Sequence, residues 1–416
     1  MRVLLINANF GRVVVPTLGL GFLSRYLKEH DIECNVIEPV LQNIKREDIL
    51  KQVKDYDILG MTMYTENRFE VIDLAKEAKE LNNNIKIILG GPHVFSIAEK
   101  ILSNYDFIDY IIRGEGEEPL LMLIQNKNLN QIPNLVYRNN KNIISNQFKI
   151  FPNIDNYKYD YDTLLIKDWK DDEVPHYLMR YNHIPFIASR GCPFSCTFCA
   201  TPYISQRKWR GYSLNVLVNL IEDLVIKYKI RYFRFYDALF MPDKNMVKDF
   251  CRLLKERNLD IYYRIDTHIG VHEEVYEMLK ESGCEILGYG IESGSNKILN
   301  RIQKNITREQ ILTSIRKAKK LGFYIIGYFM DFLPDENMLD RSLTNDLMQR
   351  FDNTNLQYFK IHPSTLFYYE LEERGEINDD VWFDRNFGFK TRFGNEVYYC
   401  KELFESAPFY AKGVIV

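Results

Sequence analysis

From Val3 to Ile361 this 416-residue chain alternates short apolar runs with segments of helical spacing, and that rhythm constrains its fold more than any other feature. Near-continuous apolar strands separated by amphipathic helices are buried on both faces, which fits a parallel sheet covered by helices. The first series predicts strands at Val3–Asn7, Asn35–Glu38, Ile58–Thr62, Ile85–Leu89 and Ile108–Ile112, with a helix over Leu18–Leu27. This is the pattern of a doubly wound, Rossmann-like sheet, on which ligands bind beyond the carboxyl ends of the strands. Small or polar residues collect at those ends: Asn7, Thr62, and the run Gly90, Gly91, Pro92, His93. The stretch LVYRNNKNIIS (Leu135–Ser145) predicts a β-hairpin turning at Asn139–Asn140.

The alternation restarts at Phe186–Ser189. Strands follow at Tyr232–Tyr236, Ile261–Ile265, Ile286–Ile291, Phe323–Phe329 and Leu356–Ile361, with helices between them. Six β/α units predict a partial (β/α)6 barrel whose strand C-termini face a common cavity. The expected division is an α/β domain over 1–149, a Tyr- and Asp-rich linker over 150–183 packed across the domain junction, the partial barrel over 184–365, and an aromatic-rich extension over 366–416 that closes one end of the cavity.

Composition narrows the functions. Hydrophobic residues make up 46% and charged residues 27%, as in an ordinary globular protein. A formal net charge of −3 gives no electrostatic case for nucleic acid or an anionic membrane as partner. No apolar run reaches the ~18 residues needed to span a bilayer. The start, MRVLLINANF, is interrupted by Asn7 and Asn9 and lacks a small-residue cleavage site, so it reads as a strand rather than a signal peptide. Cys34, Cys251, Cys284 and Cys400 are scattered singly and read as reduced thiols, in keeping with a cytoplasmic protein.

The other three of the seven cysteines are not scattered. RGCPFSCTFCA places Cys192, Cys196 and Cys199 in a C-x3-C-x2-C loop opened by Gly191 and turned by Pro193. Thiolates select zinc, copper(I) or iron–sulfur clusters. A structural zinc would need a fourth Cys or His, and the nearest downstream candidate, His268, has no second ligand pair beside it. Three thiolates on a 4Fe–4S cluster instead leave one iron free, and no other cysteine group remains to hold a second cluster.

This loop, with the aromatic Phe198 between its last two cysteines, resembles the signature of radical S-adenosylmethionine (radical SAM) enzymes. The resemblance implies that the open iron chelates the amino and carboxylate groups of S-adenosylmethionine, with Phe198 beside the cofactor. An electron, from an external donor such as flavodoxin or ferredoxin, then breaks the C–S bond to give a 5′-deoxyadenosyl radical. It also implies positions for the cofactor's contacts. Asp237, just past the second barrel strand in FYDALF, stands where such enzymes often hold the amino group; the alternative is a loop-start cap. GIESGS (Gly290–Ser295) ends the fourth strand and offers Glu292, Ser293 and backbone N–H groups ahead of a helix, suited to the methionyl carboxylate. In RIDTH, Arg264 is a candidate partner for a cofactor or substrate carboxylate, and equally for a buried salt bridge with Asp266 or another acid; His268 reads as a satisfied histidine before it reads as a catalyst. Relatives frequently carry G-L-P-G-E where this chain has DFLPDE. Asp331 and Asp335 are then either helix caps or marks of an altered pocket, and the sequence does not choose.

In the first domain, PTLGLGFLSRYL, LGGPH and RGEGEEPL resemble the cobalamin-binding domain that precedes many such barrels. The D-x-H-x-x-G motif, whose His ligates cobalt elsewhere, is missing after the first strand. Thr62, Gly90 and Gly91 are the implied cofactor contacts, the glycines letting backbone approach the nucleotide tail. The implied activity is cobalamin-dependent methylation of an unactivated carbon in a small molecule or peptide. The alternative is an enzyme of the same architecture that rearranges, cyclises, couples or oxidises, with or without cobalamin. A redox-sensing metal protein would instead need a fourth protein ligand on the trio.

Overall fold

The structure, a computed structural model, describes residues 1–10, 16–162 and 169–385, together with the backbone of 389–391 and 394–396. The first sheet begins with β1 (Arg2–Ile6), β2 (Glu33–Ile37), β3 (Ile58–Thr62), β4 (Lys86–Gly90) and β5 (Tyr110–Ile112), all parallel and ordered β2-β1-β3-β4-β5. The hairpin β6 (Leu135–Asn139) and β7 (Asn142–Ser145) extends this sheet with antiparallel pairings. β3 is buried at all five positions, as a central strand covered on both faces must be. The order reverses between β1 and β3, which makes their carboxyl ends the switch point where doubly wound folds bind ligands.

The second sheet is an open half-barrel. β8 (Asn182–Phe186) leads into a short antiparallel pair, β9 (Ser189–Arg190) and β10 (Arg210–Gly211), that brackets the cysteine loop. Then come β11 (Ile230–Phe235), β12 (Tyr262–Thr267), β13 (Cys284–Glu292), β14 (Tyr324–Asp331) and β15 (Asn353–Tyr358). The six strands β8, β11, β12, β13, β14 and β15 are neighbours in chain order and all parallel. Their period of two sorts the residues. Phe233, Phe235, Tyr263 and Ile265 pack outward with Val247, Phe250 and Leu254 of the helix Lys244–Glu256, while Tyr232, Ile286 and Ile326 pack inward around Leu178.

Two elements depart from expectation. The first barrel strand lies at Asn182–Phe186, not Phe186–Ser189. Its polar start hides it: His183 is buried, its ring lies tilted with its centroid 4.4 Å from that of Tyr232, and it accepts a hydrogen bond from the Asp171 N–H. The last strand is the polar Asn353–Tyr358, an edge strand, whereas Ile361 packs in the core of the first sheet. Of the extension, the helix Leu366–Glu373 lies between the two units: Phe367 joins Phe198, Ile298 and Ile302, and Tyr368 and Trp382 join the first core. The expected closure of the cavity falls largely on residues outside those described.

Candidate active site

The cysteine loop leaves β9 through Gly191, whose φ is +85° and where a Cβ would stand 2.1 Å from the Lys208 carbonyl oxygen, so only glycine fits. Backbone hydrogen bonds fix the loop at its middle: Thr197 N–H donates to Ile302 O (3.1 Å), and Phe367 N–H donates to Thr197 O (3.1 Å). Phe198 points into the apolar group of Ile298, Ile302, Leu333, Phe359 and Phe367 and anchors the loop there. Phe194 stacks on His268 at 4.2 Å. Cys192, Cys196 and Cys199 all remain partly exposed. Among the described residues no group of three His, Cys, Asp or Glu side chains is arranged to hold a single metal ion. Three partly exposed thiols on one loop, with Lys304 and Glu292 beside them, fit a four-iron cluster, which is reached at separate corners. Burial pushes the Cys196 thiol up to about 11 and also raises Cys192, so ligation must displace protons; the nearby Lys304 charge works in the opposite, thiolate-favouring direction.

Lys304 was not anticipated from the sequence. It is buried beside the loop, its Nζ 3.0 Å from Glu292 Oε1, with the Phe198 ring 5.9 Å away. Burial alone would lower the ammonium, but Glu292 and the cysteines outweigh it and hold it above its ordinary value. Glu292 sits at φ +70° at the end of β13, so the pair forms a two-sign contact at the barrel mouth. Ser293 is buried, with its hydroxyl 3.2 Å from Thr344 Oγ1 and accepting from Ser295 N–H. Gly294 N–H donates to Thr344 Oγ1 (2.9 Å). The turn's N–H groups at Gly294 and Ser295 are therefore engaged, and Lys304 is the group there with donors to spare.

Other candidates turn out to brace rather than face the mouth. Asp237 accepts from Ala188 N–H (3.2 Å) and from the Ser189 hydroxyl, tying β11 to the stretch that enters the cysteine loop. Burial pushes its carboxyl up to about 7 against those hydrogen bonds. Arg264 is fully buried and committed to acids: Asp171 at 3.1 Å, Glu173 at 2.8 Å and Asp266 at 3.3 Å. Of its two open readings, the geometry matches the internal salt bridge. Asp171 also meets Arg234 (3.0 Å) and the Tyr232 hydroxyl (3.0 Å), so acids from the segment before β8 fill the barrel interior. His268 is held between the Ile269 and Lys304 carbonyls at 2.8 and 3.0 Å, and burial, with Lys304 nearby, drops it to about 4. Neither Asp331 nor Asp335 caps a helix, because Asn337 caps Met338–Met348. Asp331 pairs with Arg341 (3.0 Å), and Asp335, at φ +66° where glycine would be relaxed, pairs with Arg301 (2.6 Å).

At the switch point of the first sheet lies a cavity of about 290 Å³ lined by Thr62, Tyr64, Gly90, Gly91 and Glu117, among others. Gly91 has φ +99°, and a Cβ there would stand 2.6 Å from the Met63 carbonyl. No histidine is among the described lining residues, in line with the missing D-x-H-x-x-G motif. The glycine-edged, mostly apolar walls fit a cofactor that enters by backbone approach. Arg190 joins this cavity to the cysteine loop: two residues before Cys192, it lies on the cavity wall and pairs with Glu117 (2.5 Å) and Glu115 (3.8 Å). Its guanidinium is packed between the Phe22 and Tyr157 rings at 4.9 and 5.0 Å.

Comparison with known proteins matches both halves. The radical SAM superfamily profile covers residues 186–347, and the B12 binding domain profile covers residues 4–124. An uncharacterised methyltransferase of Pyrococcus horikoshii is 31% identical over 353 residues, spanning 82% of this chain and 75% of its own. The chain belongs to the radical SAM superfamily. This radical SAM enzyme is also similar to the anaerobic magnesium-protoporphyrin IX monomethyl ester cyclase of Rubrivivax gelatinosus, with 25% identity over 413 residues, 91% of this chain and 71% of that one. Its fold matches the radical SAM methyltransferase TsrM from Kitasatospora setae, solved with cobalamin and an iron–sulfur cluster: TM-score 0.74, 16% identity, 100% of this chain and 86% of the other. Among its described residues no helix is long and apolar enough to cross a membrane.

Proposed function

We propose that this radical SAM enzyme is a cobalamin-dependent methyltransferase acting on an unactivated carbon of a small molecule or peptide. The observation that carries the reading is the wall shared through Arg190 by the switch-point cavity and the cysteine loop. Cys192, Cys196 and Cys199 would hold three irons of the cluster, and Thr62, Gly90 and Gly91 would line the cobalamin. When bound, the cluster supplies the electron that cleaves S-adenosylmethionine, and cobalamin carries the methyl group. The chain's own work is positional. Glu292 and Lys304 present opposite charges suited to the methionyl amino and carboxylate groups, and Asp237 and Phe198 hold the loop to which the irons attach. The division at 1–149, 150–183, 184–365 and 366–416 goes with this reading, as do a cytoplasmic location and an external electron donor. The likeness to the Rubrivivax cyclase over 91% of the chain favours a second reading, a radical reaction without methylation.

Anaerobic reconstitution with iron, sulfide and cobalamin, followed by desalting and S-adenosylmethionine bearing a deuterated methyl group, separates the two. Retained cobalamin that acquires the labelled methyl supports methylation. Deoxyadenosine formed with no cobalamin retained leaves only the second reading.

A further inference from the structure

Both readings need electrons delivered to the cluster from outside, and one exposed turn packs against the cysteine loop. Beyond the cysteine loop, the helix Thr201–Ile204 ends in an exposed turn, Gln206-Arg207-Lys208. Gln206 and Arg207 both take left-handed φ values, 49° and 56°, and the turn is pinned by Arg207 N–H to Pro202 O and Lys208 N–H to Ser205 O, each 2.9 Å. Its backbone rests directly on the loop, because the Lys208 carbonyl is the atom that a side chain on Gly191 would strike at 2.1 Å. Gly191 is bonded to Cys192. The turn is therefore the outward face of the cluster loop, one packed layer from a ligand cysteine.

Its charge is one-sided. Among the described residues neither Arg207 nor Lys208 forms an ion pair, although more than thirty other pairs cover the molecule. The adjoining cleft of about 180 Å³, which reaches Ser205 and Gly191, is lined by Lys149, Arg190 and Arg210; Arg190 is paired with Glu117 and Arg210 with Glu115, so Lys149 is the cation there without an ion pair among the described residues. Glu115 is already taken by Arg210 at 2.5 Å and Arg190 at 3.8 Å. On a chain whose formal net charge is −3, a positive patch next to the cysteine loop stands against the overall sign.

We infer that Arg207, Lys208 and Lys149 form the docking surface for an acidic one-electron carrier protein of the flavodoxin or ferredoxin kind. The carrier gives up one electron and the cluster gains it, with no proton or bond exchanged at the contact. Unpaired exposed cations steer such a partner, and their effect falls with ionic strength. The inference rests on the iron–sulfur reading of the loop, so its test carries a reductant that needs no docking.

Deoxyadenosine formation is measured for the reconstituted enzyme with reduced flavodoxin and, separately, with dithionite. With flavodoxin at low salt, the R207E/K208E variant loses rate by about tenfold or more, added salt slows the unsubstituted enzyme, and the charge-preserving R207K/K208R variant keeps its rate. With dithionite all three proteins turn over alike. A flavodoxin-driven rate untouched by R207E/K208E, with dithionite turnover intact, overturns the docking surface alone. No deoxyadenosine from the unsubstituted enzyme with dithionite overturns the docking surface together with the reading beneath it.

Discussion

The first sheet leaves a cavity of about 290 Å³ beyond β1 and β3, whereas the second, parallel throughout, has its interior filled by the chain itself. In the first, the strand ends carry Thr62, Gly90 and Gly91, and space exists because side chains are missing. In the second, Arg234 and Arg264 point inward from β11 and β12, and Asp171 and Glu173 from the segment before β8 neutralise them. A ligand entering that interior would have to strip buried charges of their partners, which costs more than most contacts return. The half-barrel is thus left with its mouth, where the cysteine loop, Glu292 and Lys304 meet and where the first sheet's cavity adjoins. On the proposed function, the chemistry falls at the seam between the sheets and not in the barrel's depth.

Breaking the filled interior should have the largest effect. Asp171→Ala leaves two buried guanidinium groups short of a partner, and chemical denaturation of the apoprotein should register a loss of about 3–5 kcal/mol. A loss below about 1 kcal/mol would mean that the interior is hydrated and open to ligands. For the carved sheet, Gly91→Val forces a β-branched residue to φ +99° against the Met63 carbonyl. Cobalamin retention after desalting should drop at least about tenfold, with iron content on the cysteine loop unchanged. If both cofactors are lost together, the two sheets do not act as separate holders.

A pH series sharpens the brace between β11 and the loop. The folded-state carboxyl of Asp237 lies at about 7, above its unfolded value, so its protonated form favours the fold. Its stabilising contribution is complete below the unfolded value, near pH 4, and is lost as pH rises through about 7. Relative to Asp237→Asn, the unsubstituted protein should therefore lose unfolding free energy across that window and run level above it. A flat difference would show that Asp237 is ionised throughout. The smallest effect belongs to Asp335→Gly. Relief of a left-handed backbone offsets loss of the exposed Arg301 pair, and thermal unfolding should move by no more than the equivalent of about 1 kcal/mol.

How far the sequence exposes all this depends on distance along the chain. The alternation of apolar runs specified both parallel sheets, because burial on two faces leaves a local pattern that needs no partner to be seen. The cysteine trio was equally local. Lys304 was not: it lies 12 residues beyond Glu292, past a helix, and only the fold returns it to the cysteines. Asp171 and Arg264, 93 residues apart, left no pairwise signal, although Arg264 alone prompted the idea of a buried salt bridge. The same holds for Arg190 and Glu117, 73 residues apart, which fall in motifs noticed for their glycines and cysteines. β8 was misplaced because a buried histidine reads as a loop residue until Tyr232 and Asp171 are seen around it.

The account turns on three sulfurs holding a cluster with one iron open to S-adenosylmethionine. The direct measurement is electron paramagnetic resonance of the anaerobically reconstituted, dithionite-reduced protein, recorded before and after S-adenosylmethionine is added. A reduced four-iron signal whose g-values shift on addition, and which is absent from Cys196→Ala, is the predicted result. A signal indifferent to S-adenosylmethionine, or no cluster at all in the unsubstituted protein, would contradict it.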